Sequence, residues 1–284
     1  MSQSQVIAES LGFPEGPVVM ADGSVILVEI MAGKITRCWG DGRKEAVAEP
    51  GGGPNGAAIG PDGALYVCNS GGLGHDGPPS EPGRIERIDL ASGKVERLYD
   101  ACDGTPLGSP NDLMFDCDGN FWFTDLGRTG ADCKYFGGLY CARPDGSSIT
   151  RIHSKAISYN GVGISPDMKT VYVSDTYIAR VYSFDRRIEA QPPRWLASAK
   201  GGSLFDSLAI TAAGNVCVAT LMPGGITTVT PGGEVSTLAL DDRLVTNIAF
   251  GGADMMDAWI TFSERGALVK MRWGEPGMRL VYNG

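Results

Sequence analysis

Six times along this chain the same unit returns: a short apolar strand, a turn built from Asp-Gly, Gly-Asn or a close variant, and a second strand of aromatic and β-branched residues. The copies run from Glu15 to Val28, Asn55 to Val67, Asn111 to Phe123, Asn160 to Val173, Asp206 to Val218 and, more loosely, Asn247 to Thr261. Each is a hairpin with turn chemistry suited to tight reversal. A third strand follows in every copy: Gly33–Arg37, Arg84–Ile88, Gly138–Ala142, Arg180–Phe184, Gly225–Val229 and Ala267–Met271. A fourth often comes next, as at Lys94–Leu98. The spacing, about 40 to 55 residues, is that of a four-stranded antiparallel blade, and a unit this small buries its apolar face only against a neighbour. The expectation is an all-β, six-bladed β-propeller occupying residues 1–284 as one domain. Its 41 glycines, without collagen-like period, fit a chain of many tight turns. The extended segments Gln5–Ala8 and Arg279–Tyr282 are expected to share one blade and latch the ring, and Ser70–Gly83 reads as a long loop on one face.

Composition excludes more than it assigns. A formal net charge of −9 disfavours nucleic acid and anionic membranes, both of which need a basic surface. No apolar run approaches the roughly 20 residues of a membrane span, and Met1–Glu9 lacks the basic and apolar regions of a signal peptide. Seven scattered cysteines without a CxxC pair argue against a zinc cluster, and the odd count argues against a fully paired disulfide framework. A reduced, cytoplasmic protein is the expectation. Its oligomeric state is left open.

The residues that open the repeats carry the chemistry. In a radial array the innermost strands line a central channel, so equivalent positions of successive repeats converge although they lie far apart in sequence. Here those positions hold Glu15, Asn55, Asn111, Asn160, Asp206 and Asn247. Asn and Asp before Gly often do no more than form turns. Turn chemistry does not explain six oxygen-bearing residues at corresponding places, one of them Glu. Two carboxylates and four amides around one axis suit a hard divalent cation such as Ca²⁺, Mg²⁺ or Mn²⁺, with Zn²⁺ a further possibility.

The strings Phe13-Pro-Glu-Gly-Pro, Ser109-Pro-Asn-Asp-Leu, Tyr159-Asn-Gly and Asp206-Ser-Leu-Ala resemble the gluconolactonase and regucalcin (senescence marker protein) family, in that family's order and across essentially the whole chain. The resemblance implies a six-bladed propeller with one central divalent ion, Ca²⁺ before the others, and a small lactone as substrate. Carried over position by position, it implies Glu15, Asn160 and Asp206 as ligands. Asn111 is then either a fourth ligand or an amide that orients substrate, and Ser207 matches a ligand position of some members. Asn55, Asn111, Ser109 and His75 are the expected substrate-facing residues. Three departures stand out. Ser109 occupies a place where animal members carry Arg, Val19 and Cys217 stand where Trp is usual, and the first two of these bear on the pocket's preference.

The expected reaction is opening of a lactone, an aldonolactone such as a gluconolactone, with the cation polarising the carbonyl and a carboxylate activating water. The family's mechanism implies Asp206 as base, with Glu15 as the alternative. A Ser-His-Asp triad is poorly supported, with only His75 and His153 in the chain and no Gly-x-Ser-x-Gly elbow. His75 sits in the long loop and is a candidate substrate contact, whereas His153 reads as structural. Asp125 either borders the pocket or holds a turn, and Tyr135 and Phe136 are candidates for a pocket wall. Two other readings remain: a promiscuous esterase or organophosphate hydrolase, and a calcium-binding propeller without catalysis.

Overall fold

Apolar alternation and tight turns give this chain strands of four to eight residues, apart from two short two-stranded pairings, and among the described residues there is no helix. The computed structural model describes residues 4–72, 81–130, 132–199 and 201–282. Six four-stranded antiparallel sheets follow one another as six blades of a propeller. Blade 1 comprises Pro14–Val19, Val25–Glu29, Lys34–Cys38 and Lys44–Ala48. Blades 2 to 5 repeat that order, with inner strands Pro54–Ile59, Pro110–Phe115, Tyr159–Ile164 and Leu204–Ile210. Blade 6 consists of Val245–Gly251, Asp257–Phe262 and Ala267–Arg272, completed by Gln5–Ala8 as its outermost strand. That strand pairs antiparallel with Ala267–Arg272, so the two ends of the sequence of blades are joined by backbone hydrogen bonds.

The ring is held together between blades rather than within them. Inner and second strands are buried on both faces, and their apolar side chains form clusters in the gaps between neighbours. Ile26, Val28 and Ile35 of blade 1 meet Ile59, Leu65 and Val67 of blade 2. Tyr66, Phe115, Phe121 and Phe123 fill the next gap, and Ile226, Ile248 and Ile260 fill the one between blades 5 and 6. Fourth strands are wet, as in Val235–Ala239, which is mostly exposed.

The inner strands come close enough to exclude side chains at defined points. A Cβ on Gly56 would lie 2.4 Å from the Asp112 Cα, and one on Gly161 would lie 2.6 Å from the Leu208 nitrogen. Glycine there permits the contact between successive inner strands.

Two expectations about the ends need separating. Gln5–Ala8 latches the ring as anticipated. Arg279–Tyr282 does not join a blade; it follows Gly277 and Met278, which hydrogen-bond through their N–H groups to Met255 O and Ile210 O, across the narrow end of the channel. The Tyr282 ring stands edge-on to Phe115 at 5.5 Å. A Cβ on Gly277 would lie 2.1 Å from the Phe250 Cβ, so glycine is what lets the tail pass blade 6 this closely. No described helix is long and apolar enough to cross a membrane, and all seven cysteines are free thiols, in line with the absence of a disulfide framework.

Candidate active site

Every inner strand breaks regular pairing at the same height. The irregularity falls between Glu15 and Val18, Pro54 and Ala57, Pro110 and Leu113, Tyr159 and Val162, Phe205 and Leu208, and Val245 and Asn247. A bulge places two residues of one strand opposite one of its partner and interrupts the alternation of side chains. Glu15, Asn55, Asn111, Asn160 and Asp206 therefore reach one level of the channel, as the repeats predict. Asn247 does not. Val245 pairs with Phe262 and Ile248 with Ile260, so Thr246 holds the equivalent position and Asn247 lies one residue further along. Its side chain still contributes, donating from Nδ2 to Glu15 Oε2 at 2.6 Å.

Hydroxyls of one blade fix the inner strand of the next. The Thr124 hydroxyl of blade 3 donates to the Asn160 carbonyl of blade 4, and the Ser174 hydroxyl of blade 4 donates to the Asp206 carbonyl of blade 5 at 2.6 Å. Ser263 of blade 6 does the same for the Pro14 carbonyl of blade 1 at 2.7 Å. Each proposed ligand thus sits on backbone held from the preceding blade. Side-chain bonds complete the aim: Asn160 Nδ2 donates to Thr176 Oγ1 at 3.1 Å, and Ser207 Oγ donates to Asn160 Oδ1 at 3.3 Å.

The electrostatics are those of carboxylates without a counter-charge. Burial pushes Glu15 well above the ordinary carboxylate range, and the charges of Asp206 and then Asp112 push it further, against bonds from Asn247 and the Gly16 N–H. Asp206 is pushed up to about 8, first by burial and also by Asp112, while a hydrogen bond with Asn160 opposes. Asp112 is pushed up to about 7 by burial, opposed by bonds from the Leu113 N–H and the Ser207 hydroxyl. No basic side chain is among the influences on these three. Arg84, buried nearby at the same end of the ring, is held instead by Glu86 and Glu81. Two buried acceptors in the ring, Glu15 Oε1 and Asn111 Oδ1, lack any hydrogen-bond partner. Such groups are costly unless something satisfies them.

These orphaned acceptors and uncompensated charges fit a hard cation held by Glu15, Asn160 and Asp206, with Asn111 in reach of the same level. Among the described residues there is no cluster of three or more His, Cys, Asp and Glu side chains able to hold a metal, so the donor set has to include amides. Asp112 is the residue that sequence reading missed. Strand alternation sends it away from the channel if Asn111 faces in; the bulge brings both inward. Its signal was the register: blades 1, 2 and 4 carry Gly16, Gly56 and Gly161 at that place.

The remaining candidates divide. Asp125 is a clamp, accepting from the Gly108, Ser109 and Gly127 N–H groups at 2.7, 2.7 and 2.8 Å. Ser109 is thereby fixed in the loop that enters blade 3, half-buried beside Pro110. Val19 lies at the opposite end of its strand from Glu15, packed between blades 6 and 1, and Cys217 is wholly buried in the blade 5–6 core. Of the expected pocket departures only Ser109 is therefore at the site's end; Val19 alters packing. His153 is half-buried, stacks on Tyr159 at 5.5 Å, and has its pKa lowered by burial, a structural role as read from the sequence. His75 lies outside the described residues.

Comparison with known proteins agrees with this fold. The family described as SMP-30/Gluconolactonase/LRE-like region matches residues 13–264. A gluconolactonase of Zymomonas mobilis is 28% identical over 281 residues, covering 87% of this chain and 75% of that protein. A gluconolactonase structure from Xanthomonas campestris superposes with a TM-score of 0.80 at 24% identity, covering 95% of this chain and 89% of that one. A calcium-binding protein, regucalcin, from Agrobacterium tumefaciens gives 0.77 at 19% identity, covering 98% of each. At those identities the two structures speak for the fold. The family match spans five of the six blades and the sixth blade's first two strands, and on that ground this chain belongs to the SMP-30/gluconolactonase/LRE-like family.

Proposed function

We propose that this protein hydrolyses a small lactone at the open end of its channel, with a divalent cation held by Glu15, Asn160 and Asp206. The observation that carries the reading is the pairing of uncompensated buried carboxylates with the unpartnered acceptors Glu15 Oε1 and Asn111 Oδ1. The lactonase names of relatives support the reaction class, and the gluconolactonase of Zymomonas mobilis makes an aldonolactone the first substrate to assay. Ca²⁺ is the first ion to test, since the regucalcin neighbour is described as calcium-binding, followed by Mg²⁺, Mn²⁺ and Zn²⁺.

The bound ion would supply Lewis acidity toward the lactone carbonyl. The chain's own residues do the rest. Asp206 accepts a proton from the attacking water as the new C–O bond forms; the ring C–O bond then breaks and the ring oxygen leaves as a hydroxyl, taking up a proton. Asp206 suits this role better than Glu15. The Glu15 Oε2 is occupied by Asn247 and by the Gly16 N–H at 2.5 Å, and Glu15 is only 2% exposed, whereas Asp206 keeps part of its surface open to the channel. Asn111 is placed to orient the carbonyl or to complete the ligand set.

The decisive experiment follows proton release from aldonolactones, simple lactones, esters and phosphotriesters, using chelator-treated protein reconstituted with each ion. Cation-dependent turnover of lactones above the others supports the proposal. Preference for phosphotriesters or open-chain esters would replace it with the promiscuous hydrolase, and tight Ca²⁺ binding without any turnover would leave a calcium-binding propeller.

A further inference from the structure

We propose that the mouth of this site receives lactones bearing an apolar substituent, and that Tyr135, Phe136, Ile157 and Tyr177 form the wall that selects them. This rests on the lactonase reading above. Twelve large apolar side chains are exposed among the described residues, and half of them occupy loops at the ligand end of the ring: Met31, Tyr135, Phe136, Ile157, Tyr177 and Met222. Isolated exposed apolar residues need no explanation, but a collection at the rim of a concave site marks a binding surface.

Four of the six flank the inner strands of blades 3 and 4, which carry Asn111 and Asn160. Tyr177 is 55% exposed yet tethered, its N–H donating to Ser158 Oγ at 2.9 Å. The residue before it, Thr176, accepts the Asn160 amide, so the Tyr177 ring is one residue from a group that touches a proposed ligand. Ile157 immediately precedes Ser158 on the connection entering blade 4. Tyr135 and Phe136 belong to the loop between the second and third strands of blade 3, where Arg128–Thr129 pairs with Lys134–Tyr135. Lys134 links the two regions, with its Nζ 5.5 Å from the centre of the Tyr177 ring.

Two of the cations on this side are already engaged. Arg128 donates to the Gly108 and Glu81 carbonyls, and Lys134 donates to the Leu126 carbonyl at 3.2 Å. A polyhydroxylated ring entering here meets aromatic and aliphatic surface, with the exposed Lys155, two residues before Ile157, as a free cation among the described residues on the same side. An alkyl chain or aryl group on the lactone would be sheltered by it.

The test compares a pentyl-substituted δ-lactone, the bare δ-lactone and δ-gluconolactone, with wild type, Tyr177→Ala and the double variant Tyr135→Ala/Phe136→Ala. The expected wild-type preference, in kcat/KM, is roughly tenfold or more for the pentyl over the bare ring. Each variant should reduce that ratio at least about fivefold, through KM rather than kcat. A wild type that prefers gluconolactone, or variants that slow all three lactones alike, would overturn the proposal. Calorimetry with the corresponding pentyl-substituted and bare lactams reads the wall independently of turnover. Equal lactam affinity, or a preference unchanged in Tyr177→Ala, refutes it even in an active enzyme; a preference that Tyr177→Ala abolishes, in a protein that opens no lactone, upholds the wall and refutes the hydrolase.

Discussion

Two rings of similar residues lie side by side in this molecule and have opposite fates. The inner ring, Glu15, Asn111, Asp112, Asn160 and Asp206, gathers negative charge and leaves acceptors unpartnered. One strand outward, Glu29, Asn69, Asp125 and Asp175 end the second strands of blades 1 to 4. Each is bound to the loop that enters its blade. Glu29 accepts from the Gly12 N–H at 2.6 Å, Asn69 from the Gly53 N–H at 3.0 Å, and Asp175 from the Ser158 hydroxyl at 2.5 Å. Asp125 accepts from three N–H groups. Residue type therefore does not separate proposed ligand from scaffold here. Hydrogen-bond completion does so at Glu15 and Asn111, each of which keeps an unpartnered oxygen.

The largest effect that can test this division is on turnover. Asp206→Asn or Glu15→Gln should lower lactone opening about 10³-fold, roughly 4 kcal/mol in barrier, while the far-ultraviolet β signature stays as in wild type. Proton release by either variant at a near wild-type rate would place the chemistry elsewhere. Asp125→Ala should do the reverse. It strips three backbone donors of a buried acceptor and should cost about 3 kcal/mol of stability by urea titration, with turnover per folded molecule changed only a few-fold. Asn111→Ala sharpens the role left open between ligand and orienting amide. An approximately tenfold loss of kcat/KM, about 1.4 kcal/mol, is expected; a parallel loss of Ca²⁺ affinity by calorimetry assigns Asn111 to the cation, and unchanged affinity assigns it to the substrate.

The smallest effect is on pH dependence. In the fold Asp206 and Asp112 keep their protons up to about 8 and about 7, whereas their ordinary value is 3.8. Between about pH 4 and 8 the cation-free folded chain thus binds more protons than the unfolded one, and its stability falls as pH rises. Chelator-treated protein should melt at least about 3 °C lower at pH 8.5 than at pH 6, and saturating Ca²⁺ should flatten or reverse the difference. A melting temperature that rises with pH in the chelated protein would contradict uncompensated charge in the inner ring.

Much of this was legible in the sequence because each blade carries its own turn chemistry and its own apolar alternation, so six copies report the same architecture. The inner ring was legible for the same reason at Glu15, Asn55, Asn111, Asn160 and Asp206. Two of the failures share one physical origin: bulges. Matching Asn247 to the other repeat openings overlooks that blade 6 resumes pairing one residue earlier, which leaves Thr246 at the shared level. Asp112 was hidden because strand alternation assigns neighbours to opposite faces, a rule that fails where the strand is locally irregular. Asp125 could not be separated from a pocket residue without its bonds. Arg279–Tyr282 has the composition of a strand, yet no free sheet edge awaits it, because Gln5–Ala8 already completes blade 6.

That displaced tail has a consequence for traffic. Met278, Leu280 and Tyr282 sit with Phe115 and Ile248 around the channel's far end, so the ring has a floor as well as a doorway. On the proposed reaction, the opened hydroxy acid would leave by the doorway through which the next ring enters.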